Sequence, residues 1–153
     1  MKLICSRDRL MEAISTVQKS VATRSTLPIL EGILVEAGDG VKLTGYDLET
    51  GIECQVEADV PEGGSIVINS RMFGDIIRKM PDDIVTIETG ANLSVQIECG
   101  STHFSRKGIR ADEYPKIPVV EDAKQLKMKQ FYLVSVHFFY CKEYKILLYF
   151  QIK

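Results

Sequence analysis

A short sequence pattern occurs twice in this chain, and it constrains the fold more than any other feature. Residues 4–7 (ICSR) return as residues 68–71 (INSR), and residues 35–38 (VEAG) return as residues 87–90 (IETG). Self-similarity of this kind is typical of a duplicated supersecondary unit. The sequence therefore predicts two copies of one unit, and the first copy is longer between its helix and its next strand.

Each copy is predicted to have the order β-α-β-β-β. Apolar residues at helical spacing follow Ser6 and Ser70, which are predicted to cap the two helices, and Pro81 is expected to end the second. Strands are predicted over residues 1–5, 29–37, 41–46, 52–60, 65–69, 84–88, 93–99 and 102–107. The predicted fold class is therefore α+β, with two helices packed on antiparallel sheets.

The cysteines and the apolar runs indicate a reduced cytoplasmic protein. Cys5, Cys54, Cys99 and Cys141 are widely separated and show none of the paired spacing of a zinc or redox site. No signal peptide is recognised at the N-terminus, and no apolar run reaches the length of a membrane span. We expect reduced thiols, no metal, no disulfide and no membrane segment.

The sequence offers no constellation that is typical of an active site. His103 and His137 are isolated, and the glycines at residues 38–40 match no phosphate-binding loop. The adjacent pair Asp82 and Asp83 lies on a predicted turn, where neighbouring side chains point apart. We therefore predict a binding or scaffolding protein without catalytic residues and without a cofactor.

The basic residues indicate more about function than the acidic ones do. Arg71, Arg78 and Lys79 are spaced to share the solvent-facing side of the second helix, although an ordinary solvated face has the same pattern. Arg7 occupies the equivalent position of the first helix, and Arg24 lies on the loop that only the first copy contains. If both helices face one surface, these cations form a positive stripe suited to a phosphate backbone.

Charge arithmetic sets that stripe against an acidic body. The last 23 residues, 131–153, carry three lysines against one glutamate, and the whole chain has a formal net charge of −2. Residues 1–130 therefore have a net charge of −4. Any attraction to nucleic acid has to come from locally placed cations.

Four motifs resemble a known family. They are residues 24–30 (RSTLPIL), 43–49 (LTGYDLE), 70–73 (SRMF) and 112–115 (DEYP). Together with the first strand and helix they resemble the N-terminal domain of the bacterial DNA polymerase III beta subunit, the sliding clamp, over roughly residues 1–130.

This resemblance implies the DNA-clamp fold and a non-catalytic role as a replication processivity factor. Its partners would be double-stranded DNA without sequence preference, a second clamp protomer, the polymerase III catalytic subunit and the clamp loader. The DNA-facing positions of the family carry over onto Arg24, Arg71 and Arg78, and we add Lys79 from its spacing. Phe104 falls where the family packs this domain against the partner protomer.

The chain departs from the family near its C-terminal end. We expect a clamp N-terminal domain over residues 1–120, a linker and the start of a second domain over 121–130, and a divergent tail over 131–153. That tail holds eight of the Phe and Tyr residues, which indicates a truncated or frame-shifted product. The alternative is a stand-alone protein-interaction module that does not bind DNA.

Overall fold

The fold is described from a computed structural model. It covers residues 1–81, 83–117 and 147–150. The two helices are α1 (Arg7–Val17) and α2 (Ser70–Lys79). The strands are β1 (Lys2–Ser6), β2 (Gly32–Ala37), β3 (Val41–Tyr46), β4 (Thr50–Val56), β5 (Asp59–Glu62), β6 (Gly64–Asn69), β7 (Ile84–Thr89), β8 (Ser94–Cys99), β9 (Thr102–Lys107) and β10 (Leu147–Phe150).

The two copies of the repeat exchange their first strands. One antiparallel sheet has the order β5-β1-β7-β8-β9, and the other has the order β10-β4-β3-β2-β6. Strand β1 of the first copy therefore extends the three-stranded meander of the second copy, while β6 of the second copy extends the meander of the first. Because of this exchange, neither copy forms its sheet alone, which gives the duplication a structural reason.

A single main core joins both sheets and both helices. Helix α1 packs on β3 and β4, helix α2 packs on β2 and β6, and the helices contact each other. The largest fully buried side chains of this core are Leu3, Leu10, Ile14, Ile33, Leu43, Ile52, Ile66, Ile68, Phe73, Ile77 and Ile87. Burying each of them contributes about 1.5–3 kcal/mol relative to leaving it exposed, so the two copies are held together mainly by this core.

After β9 the chain crosses the sheet that contains β4, on the face opposite the main core. Ile109 forms a two-way backbone bridge with Val67 of β6. The hydroxyl of Tyr114, from the DEYP motif, donates to the carbonyl of Thr44 on β3, 3.4 Å away, and burial raises the pKa of this tyrosine. Ile117 then lies against Gly51 of β4. The segment therefore runs across the sheet from its edge strand β6 to β4.

The α+β class and the duplicated β-α-β-β-β order are confirmed, but one predicted strand is wrong. The run predicted as a single strand over 52–60 is divided between β4 and β5, which belong to different sheets. The chain passes from one sheet to the other through Glu57 and Ala58, where no glycine or proline marks a turn. Pro61 is tolerated in β5 because β5 is an edge strand.

The predicted caps are also wrong in detail. Ser6 occupies the N-cap position of α1, but its side chain makes no capping hydrogen bond. The cap of α2 is Asn69, whose Oδ1 accepts from the backbone N–H of Met72 at 3.1 Å. Ser70 is instead the first residue of the helix and is buried.

The described residues bear on several smaller predictions. Cys5, Cys54 and Cys99 are buried thiols, whereas Cys141, His137 and Asp82 lie outside these residues. Within the described part of the chain no helix has the length and apolarity to cross a membrane. No group of three or more His, Cys, Asp or Glu side chains there is placed to hold a metal ion.

Candidate nucleic-acid interface

The two helices lie side by side and antiparallel, as two groups of hydrogen bonds show. At one end, the Arg7 guanidinium of α1 donates to the carbonyls of Ile77 and Arg78, in the last turn of α2, at 3.3 and 3.1 Å. At the other end, Nε2 of Gln18 donates to the carbonyl of Ser70 at 2.7 Å. The start of each helix is thus fixed to the end of the other.

The hydrogen bond from Gln18 to Ser70 depends on a glycine in α2. A Cβ atom on Gly74, in the middle of α2, would lie 2.6 Å from Nε2 of Gln18. Gln18 therefore reaches the backbone of Ser70 only because position 74 has no side chain. The predicted positive stripe requires both helices to face one surface. The two helices do form one layer.

Arg7 does not join the positive stripe that the sequence predicts. Its side chain is only 23% exposed and also pairs with Asp8 at 2.6 Å. Its donors are used on the free carbonyls at the C-terminal end of α2, where a positive charge interacts favourably with the helix dipole. Arg7 is therefore a capping residue that joins the two helices.

The three predicted cations of α2 are exposed, as their spacing indicated. Arg71, Arg78 and Lys79 are exposed, while Phe73 and Ile77 on the other side of the helix are buried. Their electrostatic environments differ, however. Arg78 pairs with Asp75 at 2.9 Å, whereas Arg71 and Lys79 have no ion pair among the described residues. Two of the three cations are thus available to an external anion.

Arg71 and Lys79 lie along one shallow groove between α2 and β9. This groove has a volume of about 340 Å³, and its lining includes Phe104 and Arg106 from β9 and Asp75 from α2. Three cations and a single carboxylate therefore line it. The guanidinium of Arg106 makes only a contact with the carbonyl of its neighbour Ser105 among the described residues. Sequence reasoning missed Arg106, because nothing in the chain indicates that β9 lies beside α2.

Phe104 contacts both the main core and the groove. Its ring is partly buried and packs against the main core, and its remaining surface lines the groove. Strand β9, opposite β8 in register with Phe104 facing Ile97, is the outermost strand of its sheet among the described residues. The predicted role of Phe104 at a protomer interface stays a prediction.

Arg24 is exposed on the loop between two short 3₁₀ helices, Gln18–Ser20 and Pro28–Glu31. The loop is anchored at its start by the hydroxyl of Ser20, which donates to the carbonyl of Gly45 at 2.9 Å. Because the end of α1 lies beside the start of α2, the loop that carries Arg24 starts at the same end of the helix layer as Arg71. Lys79 lies at the opposite end.

Basic residues elsewhere show how an unpaired cation differs from a paired one. Lys42 on β3 contacts Glu36 at 2.8 Å and Glu53 at 3.5 Å. The hydrogen bond that Lys42 donates to Glu36, assisted by the charge of Glu53, raises the pKa of this lysine. Lys42 is therefore neutralised by the protein itself, as Arg71 and Lys79 are not.

The groove and the loop can attract phosphate groups but have no means of recognising bases. Guanidinium and ammonium groups on a shallow, open surface make charge-assisted contacts with phosphate oxygens of any sequence. Such contacts depend on salt concentration and carry no sequence information. The arrangement therefore fits a surface that holds a nucleic-acid backbone loosely.

Comparison with known proteins shows the family to which the chain is related. The sequence model of the DNA polymerase III beta subunit, N-terminal domain, matches residues 1–118. The beta sliding clamp of Bacillus subtilis is 38% identical over 131 residues, which cover 80% of this chain and 35% of that protein. The beta sliding clamp of Synechocystis is 33% identical over 135 residues, covering 82% of this chain and 34% of that protein.

Solved structures show the same similarity. A DNA polymerase III beta subunit from Eubacterium rectale superposes with a TM-score of 0.82 at 40% identity, covering 87% of this chain and 37% of that one. The DNA polymerase sliding clamp of Bacillus subtilis gives a TM-score of 0.76 at 37% identity, covering 80% and 34%. This chain thus spans little more than a third of the length of these relatives. Through the N-terminal domain that it matches, the chain belongs to the family of bacterial DNA polymerase III beta subunits, the beta sliding clamps.

Proposed function

We propose that this chain supplies the DNA-facing N-terminal domain of a replication processivity clamp. The observation that carries the proposal is the pair of exposed cations, Arg71 and Lys79, that no carboxylate of the described residues neutralises. They lie on a two-helix layer of a chain whose formal net charge is negative. Arg24 adds a third cation at one end of this layer.

A sliding clamp requires weak attraction to DNA. Contacts to phosphates position a protein on the duplex without reading its sequence, whereas tight contacts to base edges would stop movement along it. A few exposed cations on an acidic body satisfy this requirement, because the body repels DNA elsewhere. We expect Arg78 to contribute less than Arg71 and Lys79, since Asp75 already pairs with it.

The remaining parts of this role concern an assembly larger than the chain. We infer a clamp N-terminal domain over residues 1–120, followed by a linker over 121–130 and the tail over 131–153. In a complete ring the partners would be a second protomer, the polymerase III catalytic subunit and the clamp loader, in the cytoplasm. Phe104 on the outermost strand β9 would contact the second protomer.

The DNA-binding part is tested by titrating a labelled duplex with the 153-residue chain at low salt. The double variant Arg71→Ala/Lys79→Ala is expected to bind at least about five-fold more weakly, and the slope of log affinity against log salt should fall by about 2. Lys42→Ala is the control, because it removes a half-buried lysine that is already paired with Glu36. Equal weakening by the control, or none by the double variant, would reject the proposed surface and favour a protein-interaction module.

The processivity part needs a ring. Residues 1–118 can replace the matching segment of the Bacillus subtilis clamp, to which this chain is 38% identical. The chimeric clamp is expected to support long primer extension by its cognate polymerase, and the Arg71→Ala/Lys79→Ala chimera should give shorter products. A chimera that assembles but gives no processivity at all would contradict the assignment.

A further inference from the structure

Asp75 is the one acidic residue of α2, and it lies among the cations of that helix. Successive residues are about 100° apart around a helix, so Arg71, Arg78 and Lys79 all lie within about 60° of Asp75. Arg71 is one turn before it, and the other two are one turn after. Among the described residues that line the groove between α2 and β9, Asp75 is also the only carboxylate. A phosphate that approaches this surface therefore meets one negative charge among several positive ones.

The stability of α2 does not explain an aspartate at position 75. Aspartate is a weak helix former, and its charge favours the helix dipole only in the first turn, whereas Asp75 lies in the middle of the helix. The side chains of Arg78 and Asp75 are 61% and 50% exposed, and a pair this exposed contributes little to folding. The main effect of Asp75 is therefore on the charge that the surface presents.

The carboxylate of Asp75 occupies Arg78 in the way that a phosphate would. Oδ1 of Asp75 accepts from Nη1 of Arg78 at 2.9 Å, which is the length of a charge-assisted hydrogen bond. Carboxylate and phosphate oxygens use the same donors of a guanidinium group. A phosphate that binds Arg78 therefore has to displace Asp75 and then lie beside its charge.

We propose that Asp75 limits the affinity of this surface for the DNA backbone, because it competes with phosphate for Arg78. Asp75 is then a positioning residue that acts through Arg78. The inference rests on the proposed function, since it concerns the same helix surface. A domain that moves along a duplex has to hold phosphates weakly. Each phosphate that the protein leaves unneutralised makes binding weaker and less dependent on salt.

A matched pair of variants separates this role from a general effect of net charge. Asp75→Asn removes the charge and keeps the size of the side chain. Glu57→Gln makes the same change in net charge and also releases an arginine, Arg9, from its ion pair. Arg9 and Glu57 line a different cleft, together with the turn at residues 38–40. Each variant of the 153-residue chain is titrated with a labelled duplex at several salt concentrations, and thermal unfolding checks that it is folded.

We expect Asp75→Asn to bind the duplex at least about three-fold more tightly than the parent chain at low salt. The slope of log affinity against log salt should become steeper by about 1, because one more phosphate is neutralised. Glu57→Gln should leave the slope unchanged. Asp75→Glu should keep the affinity of the parent chain, since a glutamate three residues before Arg78 can still pair with it.

A double variant tests whether Asp75 acts through Arg78. In a chain that carries Arg78→Met, the further change Asp75→Asn should no longer steepen the slope. A steeper slope in that background would overturn the inference. An unchanged slope for Asp75→Asn in the parent chain, or an equal gain from Glu57→Gln, would also overturn it.

Failure of this inference is distinguishable from failure of the proposed function. The inference alone fails when Arg71→Ala/Lys79→Ala weakens binding but Asp75→Asn does not strengthen it. The proposed function fails, and the inference with it, when Arg71→Ala/Lys79→Ala leaves binding to the duplex unchanged.

Discussion

At the residue scale, the neighbours of a cation decide what its charge does. Arg7 and Arg71 occupy equivalent positions in the two copies of the repeat, yet Arg7 caps the end of α2 while Arg71 has no ion pair among the described residues. The sequence predicted the exposure of Arg71, Arg78 and Lys79 from helical spacing. It did not predict that Asp75 neutralises Arg78, since an i,i+3 pair forms only when both side chains adopt compatible rotamers.

Cys5 provides a prediction at the same scale. Burial raises the pKa of its thiol to about 11, because the buried site disfavours the charged thiolate. In the unfolded chain the Cys5 thiol ionises near pH 9, whereas in the folded chain it stays protonated until about pH 11. The stability that depends on the protonated thiol is therefore complete below pH 9 and is lost as the pH rises to 11. The free energy of unfolding should fall by up to about 2–3 kcal/mol over this window.

Chemical denaturation at several pH values measures this effect, with Cys5→Ala as the comparison. The variant lacks the titrating group, so its free energy of unfolding should decline less steeply between pH 9 and 11. Identical slopes for the two proteins would show that Cys5 ionises freely in the folded state.

At the element scale, the ends of the helices are the features that the sequence predicts least well. Asn and Ser are both good N-cap residues, and the adjacent pair Asn69 and Ser70 offers no local reason to prefer one. In the structure Asn69 is the cap, and the buried Ser70 is the first helical residue. Similarly, no glycine or proline marks the crossing between β4 and β5, so the alternating pattern alone predicts one strand.

The caps give a paired prediction. Asn69→Ala removes the hydrogen bond to the N–H of Met72 and should destabilise the domain by about 1 kcal/mol. Ser6→Ala removes a side chain that makes no such bond and should change stability by no more than about 0.5 kcal/mol. Urea denaturation of both variants tests this, and equal losses would show that the cap assignment is wrong.

The link between the helices gives a second prediction at this scale. Arg7→Met keeps most of the aliphatic length but loses the donors to Ile77 and Arg78, and the expected cost is about 1–2 kcal/mol. Arg9→Met is the control, because the ion pair of Arg9 among the described residues is with the exposed carboxylate of Glu57, and a surface pair contributes about 0–1 kcal/mol. Thermal unfolding distinguishes the two, and a larger loss for Arg9→Met would contradict the role given to Arg7.

At the scale of the whole molecule, the repeat predicted the number and order of the elements but not how the copies combine. Periodicity is a local signal, whereas the exchange of β1 and β6 between the meanders depends on contacts far apart in sequence. The same limit explains why Arg106 was missed, since its proximity to Arg71 and Lys79 arises only from the position of β9 beside α2. The helical spacing in α2 therefore predicts part of the candidate surface. The rest depends on the position of β9 beside α2.

The central claim is that the helix layer, the loop of Arg24 and the adjoining groove meet the DNA backbone. Chemical-shift mapping of the 153-residue chain with a short duplex at low salt tests it directly, because weak contacts are then assigned to individual amides. We expect shifts at residue 24, along Ser70–Lys79 and at residue 106, and we expect them to vanish as salt is raised. Shifts confined to other surfaces, such as the turn at residues 38–40, or no shifts at low salt, would contradict the account.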